Sequence, residues 1–531
     1  MALNGRSRQD TRLIDGLLFL AVMAVAWILQ ASLTHRGLSS TSDSFSYLDA
    51  AWNFAAGNGL VEANFDLNDP SLVKPFSGWP PLYPVLLSFF LSAKTTAPVE
   101  ATTLSLLLLL GMLSFSWATL RPHVGTKLAA LTCLAMALSQ PVMTVSTYAW
   151  SELPFLTLVS ALIWAGGHFL VSRPERKLHY LLLVGLACFL LAMTRYIGLV
   201  FFVAFLPLFL IERDKRYWWK RFSLIGLAAL LGLGAWYLRN FQLTGHLSGY
   251  NRIPAHPGYG TTLHDLANAW IVHLPQSIAP WIGILLIAAV AWIVLVKKGP
   301  LPERDKAQNQ TEALNPLRLS LTLLTVYLLA LFLLGANFSI DRDARMISVV
   351  VPTLLISLAL IVKRLADRGV DRWWRATLFV GSISLILAFP VEGIQSYQAA
   401  LVNMRTLEGH RFPTGGSGYY TNFTAISATA VHRNIIDTLS ANGELAIVTN
   451  RARILYFLTG HRNMKELSPL PFTEETVRNI NRRFRDGVLY LYDPELSRSV
   501  LDHYAAQSKT IEFRQDLLSR HGVLVVPIPL P

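Results

Sequence analysis

Apolar residues along this chain come in repeated blocks about twenty long, broken by short charged or turn-forming stretches, the pattern of membrane-crossing helices. The blocks predict spans near 13–33, 100–119, 127–145, 153–171, 178–193, 197–211, 222–238, 277–296, 317–336, 347–362 and 375–391, about eleven in all. One segment breaks the rhythm. "WPPLYPVLLSFFLSA" at 79–93 is apolar but short and opens with three prolines in six residues, so it reads as an interfacial or re-entrant helix. The first run, Leu13 to Leu33, follows Arg6, Arg8 and Arg12 and is longer than a signal-peptide core, so it reads as an uncleaved first helix.

From about residue 392 the pattern changes to short elements. "ELAIVTN", "RILYFLTG", "GVLYLYD" and "GVLVVPI" read as buried strands, with "TEETVRNINRRFRDG" and "ELSRSVLDHYAAQ" as helices between them. The expected fold class is therefore a polytopic α-helical membrane protein, residues 1–391, followed by a small α/β domain, residues 392–531. "RFPTGGSGYY" reads as a linker or loop. The tail holds no G-x-G-x-x-G after a strand and no P-loop, so no nucleotide cofactor is expected.

Composition agrees with the membrane reading: 53% of the 531 residues are hydrophobic and 15% charged, against about 25% charged in soluble domains. The net charge of +13 raises the question of a nucleic-acid partner. Its placement answers it. With 79–93 left on the outer side, "SRPERK", "ERDKRYWWKR", "KKGPLPERDK" and "KRLADRGVDRWWR" all fall on the side of the N-terminus. That side carries about 23 Lys and Arg, against about 8 in the opposite loops before residue 392. The asymmetry predicts a cytoplasmic N-terminus and an outer C-terminal tail, and it removes nucleic acid as a partner. In a Gram-negative cell this means the inner membrane, with the tail in the periplasm. Cys133 and Cys188 sit inside apolar runs, with neither disulfide nor metal spacing, and read as packing residues.

Candidate chemistry gathers on the outer side. In "SSTSDSFSYLDAAWNFAAGNGL" (39–60), Phe45, Leu48, Trp52 and Ala55 follow helical spacing, with Ser46, Asp49 and Asn53 opposite. This predicts a helix lying in the membrane interface, capped by Ser42 or Asp43, with Tyr47 and Trp52 at headgroup level. Asp43 reads equally as a cap or as a functional carboxylate, and Asp49 reads as solvated. Glu152, Arg195, Arg239, Arg252, Arg342 and Arg345 stand at the outer ends of spans, and Lys74 precedes the proline segment. Each alone is explicable as a snorkelling or topology residue. Together, ionisable groups along one membrane face point to function, with guanidiniums suited to a phosphate-bearing lipid.

The ordered set "SDSFSYLDAAWNFAAGNGL", "GWPPLYPVLL", "SELPF", "TRYIGL", "WYLRN…TG" and "DRDARMISVVVP" resembles the GT-C superfamily of membrane glycosyltransferases. The resemblance is to the branch containing protein O-mannosyltransferases and the lipid A aminoarabinose transferase; "VTNRARILYFLTG" in the tail looks like a segment common there. It implies inverting transfer of a sugar from a polyprenyl-phosphate donor to an acceptor hydroxyl on a lipid, glycan or protein. The family's first-loop acid aligns with Asp43, its second-loop acid with Glu152, and its late arginine with Arg345. It further implies Asp43 as base, with Lys74, Arg195, Arg252, Arg342 and Arg345 around the lipid phosphate. Tyr47, Trp79 and Tyr83 would line the cavity. Many members carry an acidic pair where this chain has "SDSF", and a basic residue where it has Trp79. Asp43 with Glu152 would thus offer fewer ligands to a divalent cation, Mg or Mn, and metal dependence stays open. A membrane transporter of a lipid or glycan intermediate, or a lipid-linked oligosaccharide ligase or polymerase, are the rival readings.

Overall fold

The computed structural model describes residues 3–403 except 36, 40, 67–68, 70, 93–96, 172–173, 212–217, 250–257, 274–303, 338–343 and 369–372; beyond 403 it describes 446–449, 456, 464–466, 478, 480, 487–491 and 524–528. By contacts the chain divides into two compact units. The first comprises Met1–Ser39, Ser77–Leu86 and Ala101–Ser417, the second Ser40–Phe76, Leu87–Glu100 and Gly418–Pro531.

The helices, in chain order, are α1 (Leu3–Thr34), α2 (Ser42–Ala55), α3 (Leu82–Ser88), α4 (Ala97–Val124), α5 (Thr126–Leu138), α6 (Gln140–Thr147), α7 (Glu152–Val171) and α8 (Pro174–Thr194). They continue with a 3₁₀ helix (Tyr196–Ala204), α9 (Phe205–Ile211), α10 (Trp218–Thr244), α11 (Tyr259–His273), α12 (Arg304–Asn337), α13 (Ala344–Ser348), α14 (Val350–Arg368) and α15 (Trp373–Asn403). Among the described residues, eight helices are long and apolar enough to cross a membrane, or nine if one bent pair counts as a span. The chain is an integral membrane protein.

Most predicted spans fall on these helices, with instructive departures. The run at 127–145 is two helices, α5 and α6, bent by 56° at Ser139. The run at 197–211 is no uniform helix but the 3₁₀ segment leading into α9, because Arg195 takes an extended conformation at the end of α8. Gly198 permits this break, since a Cβ there would overlap the carbonyl of Leu191. The segment at 79–93 holds only the seven-residue α3, far too short to cross. The predicted span at 277–296 lies outside the described residues.

The spanning helices of the first unit are fastened by a few buried polar contacts, which in lipid must be satisfied inside the protein. Gln30 on α1 donates to Ser105 Oγ at 2.8 Å and to the Ser146 carbonyl at 3.0 Å. The hydroxyls of Ser320 on α12 and Ser357 on α14 meet at 2.8 Å. Near the N-terminal end of α1, Asp15 is bound by Arg121 and Thr126.

The second unit holds α2, a hairpin of β1 (Val61–Ala63) and β2 (Val73–Pro75), and a four-stranded sheet of β3 (Ala446–Thr449), β4 (Met464–Glu466), β5 (Gly487–Leu491) and β6 (Leu524–Ile528). The strand order is β4-β3-β5-β6; β3 runs parallel to both neighbours and β6 antiparallel to β5. Three of the four predicted tail strands correspond to β3, β5 and β6, whereas Tyr456, inside the fourth, is helical and β4 was not anticipated. The domain division expected at 391/392 falls inside α15.

The hairpin loop between β1 and β2 is internally bonded. Asn64 Nδ2 donates to Ser71 Oγ at 2.8 Å and the Ser71 N–H to Asp69 Oδ1 at 2.9 Å. The hydrogen bonds from Ser71, with the Lys465 charge adding, hold the Asp69 carboxyl below the usual aspartate range. A lowered folded pKa stabilises above the unfolded value and loses that contribution as pH falls through the folded one. Protection of the amides in residues 64–72, taken relative to their intrinsic exchange rates at each pH, is therefore expected to stay constant from neutral pH down to the ordinary aspartate range and to fall only below it.

Candidate functional site

Glu152 opens α7, with its carboxylate in the first turn where the helix dipole favours negative charge. It is only 2% exposed. A buried carboxylate needs a counter-charge, and two guanidiniums supply it. Arg195 Nη1 binds Glu152 Oε1 directly and donates to Ser151 Oγ at 3.2 Å. Arg345, on α13, places its Nε 4.0 Å from the same oxygen. Its guanidinium also lies over the Trp150 ring, 5.1 Å from the centroid, and that ring is stacked on Tyr148 at 4.2 Å. Met346 completes this side: its sulfur lies 3.9 Å from Arg195 Nη2, and its carbonyl accepts from the Tyr327 hydroxyl at 3.0 Å.

Local structure explains why the turn before Glu152 is fixed. The Ser39 N–H donates to the Thr147 carbonyl at 2.8 Å and the Ala149 N–H to the Ser39 carbonyl at 3.0 Å, so the chain leaving α1 pairs with residues 147–149. On the other flank, Tyr83 is buried on α3. Desolvation, with the Glu152 charge adding, raises its phenol pKa well above the usual value.

A second node holds the proline segment. The Ser77 carbonyl accepts from the Tyr196 hydroxyl at 3.3 Å and from Asn240 Nδ2 at 3.1 Å. Tyr196 directly follows Arg195, so one carbonyl links the chain carrying Arg195 to the chain carrying Trp79 and Tyr83. Gly249 packs on this node with φ +82°, and a Cβ there would overlap the Ser77 carbonyl. Gly249→Ala is expected to cost about 1–2 kcal/mol for the left-handed backbone alone, read as a lower apparent unfolding temperature in detergent.

The structure thus brings together Glu152, Arg195, Arg345 and Tyr83, with Trp79 half-buried beyond the Ser77 node. Asp43, Tyr47 and Lys74 belong to the second unit. There, α2 starts at Ser42 with Thr41 at the N-cap position, one residue before the expected cap; Asp43 sits in the first turn, half-buried. Tyr47 is buried against Phe76, with ring centroids 6.1 Å apart, and not at headgroup level. The polar face of α2 is buried too. Asp49, expected to be solvated, accepts the Ala63 N–H at 2.6 Å and the Tyr456 hydroxyl at 3.1 Å, because the β1–β2 hairpin covers that face. Lys74 pairs with Glu62 across the hairpin at 3.6 Å. Arg252 and Arg342 lie outside the described residues. Trp150, Tyr327, Met346, Ser77 and Asn240 were not foreseen; the Trp directly before the "SE" opening α7 was the one available signal.

The donors around Glu152 do not fit a divalent cation: a single carboxylate already faces two guanidiniums. Among the described residues, no group of three His, Cys, Asp or Glu could hold a metal ion. Among the described residues, the guanidiniums of Arg195 and Arg345 share this carboxylate, and guanidiniums so held are donors suited to an anion.

No protein-family model and no curated protein matches the chain. Solved structures do. ArnT from Cupriavidus metallidurans bound to undecaprenyl phosphate superimposes with a TM-score of 0.55 at 13% identity, covering 96% of this chain and 97% of that one. The Archaeoglobus fulgidus oligosaccharyltransferase, in complex with Zn and sulfate, gives 0.50 at 10% identity, covering 90% of this chain and 68% of that one. Both neighbours belong to the GT-C superfamily. The chain shares their fold. That likeness, at such low identity, speaks for the fold alone and leaves the chemistry to the residues.

Proposed function

We propose that this GT-C protein is an inverting glycosyltransferase that moves a sugar from a polyprenyl-phosphate donor to an acceptor hydroxyl at the outer face of the membrane. The observation that carries the reading is the convergence of the Arg195 and Arg345 guanidiniums on the buried Glu152. Guanidiniums fixed in a partly desolvated place stabilise charge that develops on a departing phosphate. An ArnT neighbour was solved with undecaprenyl phosphate, the leaving group such a reaction releases.

In the reaction, the acceptor oxygen attacks the anomeric carbon, the bond from that carbon to the phosphate oxygen breaks, and polyprenyl phosphate departs with the electron pair. Asp43 takes the acceptor's proton as general base. Arg195 and Arg345 meet the growing phosphate charge, with Lys74, Arg252 and Arg342 as further cations of the lipid-phosphate site. Glu152 holds the two guanidiniums in place and Tyr83 donates a hydroxyl beside it; Tyr47 and Trp79 are read as cavity walls. The charge asymmetry of the loops supports a cytoplasmic N-terminus and a C-terminal tail outside, at a bacterial inner membrane.

Binding of polyprenyl phosphate tests the charged site directly. The lipid is expected to raise the apparent unfolding temperature of the purified protein in detergent. Arg345→Met should weaken its binding about tenfold or more, the worth of a charge-assisted contact. Equal binding by wild type and variant would remove Arg345 from the phosphate site. A transporter of the same lipid would also bind it, and turnover of the donor separates the two.

A further inference from the structure

The second unit contains a buried cation that the proposed reaction does not use. Lys465, on strand β4, is 1% exposed. Its ammonium donates to three backbone carbonyls, those of Asn64 at 3.0 Å, Asp69 at 2.6 Å and Ser71 at 2.8 Å. Three N–H donors meet three acceptors, so the ammonium is fully satisfied by the hairpin loop of the first outer segment. Nine residues earlier in the tail, Tyr456 packs edge-on against Phe65 with centroids 5.4 Å apart and donates its hydroxyl to Asp49 Oδ1. The other oxygen of Asp49 accepts the Ala63 N–H. The C-terminal segment therefore grips both α2 and the loop between β1 and β2, through hydrogen bonds separated by 394 to 407 residues.

We propose that Lys465 and Tyr456 are positioning residues, and that the C-terminal sheet is the mount that fixes the Asp43-bearing helix and its hairpin. The role in turnover rests on the glycosyl-transfer reading; the mount itself does not. A base must sit within hydrogen-bond reach of the hydroxyl it deprotonates, so a helix free to rock loses rate before it loses binding. Asp49 is six residues from Asp43 on the same helix, close enough for its anchoring to set where the first turn stands. Removing the ammonium takes a donor from three carbonyls, and removing the Tyr456 hydroxyl takes a bond from a buried carboxylate.

The test uses the full-length protein in detergent, as wild type, Lys465→Met, Lys465→Arg and Tyr456→Phe. Hydrogen exchange over residues 61–75 is read against that of α7 and α14, together with release of polyprenyl phosphate from a radiolabelled polyprenyl-phosphate sugar pool. Lys465→Met and Tyr456→Phe are expected to speed exchange in the hairpin at least tenfold, with α7 and α14 unchanged. kcat should fall by a similar factor at constant donor KM, and Lys465→Arg should restore part of both. Unchanged hairpin exchange in both variants would overturn the mount, and Tyr456→Phe decides alone if Lys465→Met fails to fold. A loosened hairpin with wild-type kcat would overturn the positioning role. If wild type itself releases no phosphate, the proposed reaction has failed and hydrogen exchange still decides the mount.

Discussion

Arg195→Met is expected to destabilise the protein by about 3 kcal/mol and to remove donor turnover. The loss is large because Glu152 stays behind, buried, after its direct ion-pair partner is gone. Breaking one side of a buried pair typically costs about 3–5 kcal/mol, most of it the penalty of an uncompensated charge. The lower end applies here because Arg345 Nε remains 4.0 Å from the same oxygen. The double variant Glu152→Gln with Arg195→Met should recover most of the stability, since both charges then leave together, but should recover none of the turnover. The check is a set of apparent unfolding temperatures in detergent for the two single variants and the double. Additive losses would mean that the pair is not coupled and that Arg195 is held by something other than Glu152.

Asp43→Asn is the second large effect. Asn keeps the shape and the acceptor oxygen but cannot take a proton at neutral pH. A general base contributes about 100- to 10,000-fold to rate, so kcat should fall within that range while donor KM changes little. Stability should barely move, because the position is in the first turn of α2 and half-buried; loss of a charge–dipole contact there costs about 0.3–1 kcal/mol. Measured kcat at wild-type level would make Asp43 a structural acid only, with Glu152 next to be tested as base.

How much of this was legible in the sequence depends on the range of each contact. Spans were legible because twenty apolar residues in a row leave a chain few other places to go. The break after α8 was not, because "YIGLVFFVA" is as apolar as any span. What stops the helix there is the extended backbone at Arg195, which the close approach of Gly198 to Leu191 permits. Glu152, Arg195 and Arg345 were each visible at span ends, and their convergence on one carboxylate was not, since it depends on how α7, α8 and α13 meet. Asp49 was misread for the same reason. Helical spacing put it on the polar face of α2, but its partners, Ala63 and Tyr456, lie 14 and 407 residues away. Lys465 stands in a three-residue strand with no alternation to mark it, and nothing local says that its ammonium is buried.

The most direct measurement follows donor and product together. Purified wild type in detergent is given a radiolabelled polyprenyl-phosphate sugar pool with a membrane glycolipid extract as acceptor. The released lipid and the anomeric configuration of the product are then determined. The account predicts that the donor is consumed, that polyprenyl monophosphate is released, and that the sugar is inverted at its anomeric carbon. Donor left intact, or a product with retained configuration, would contradict it.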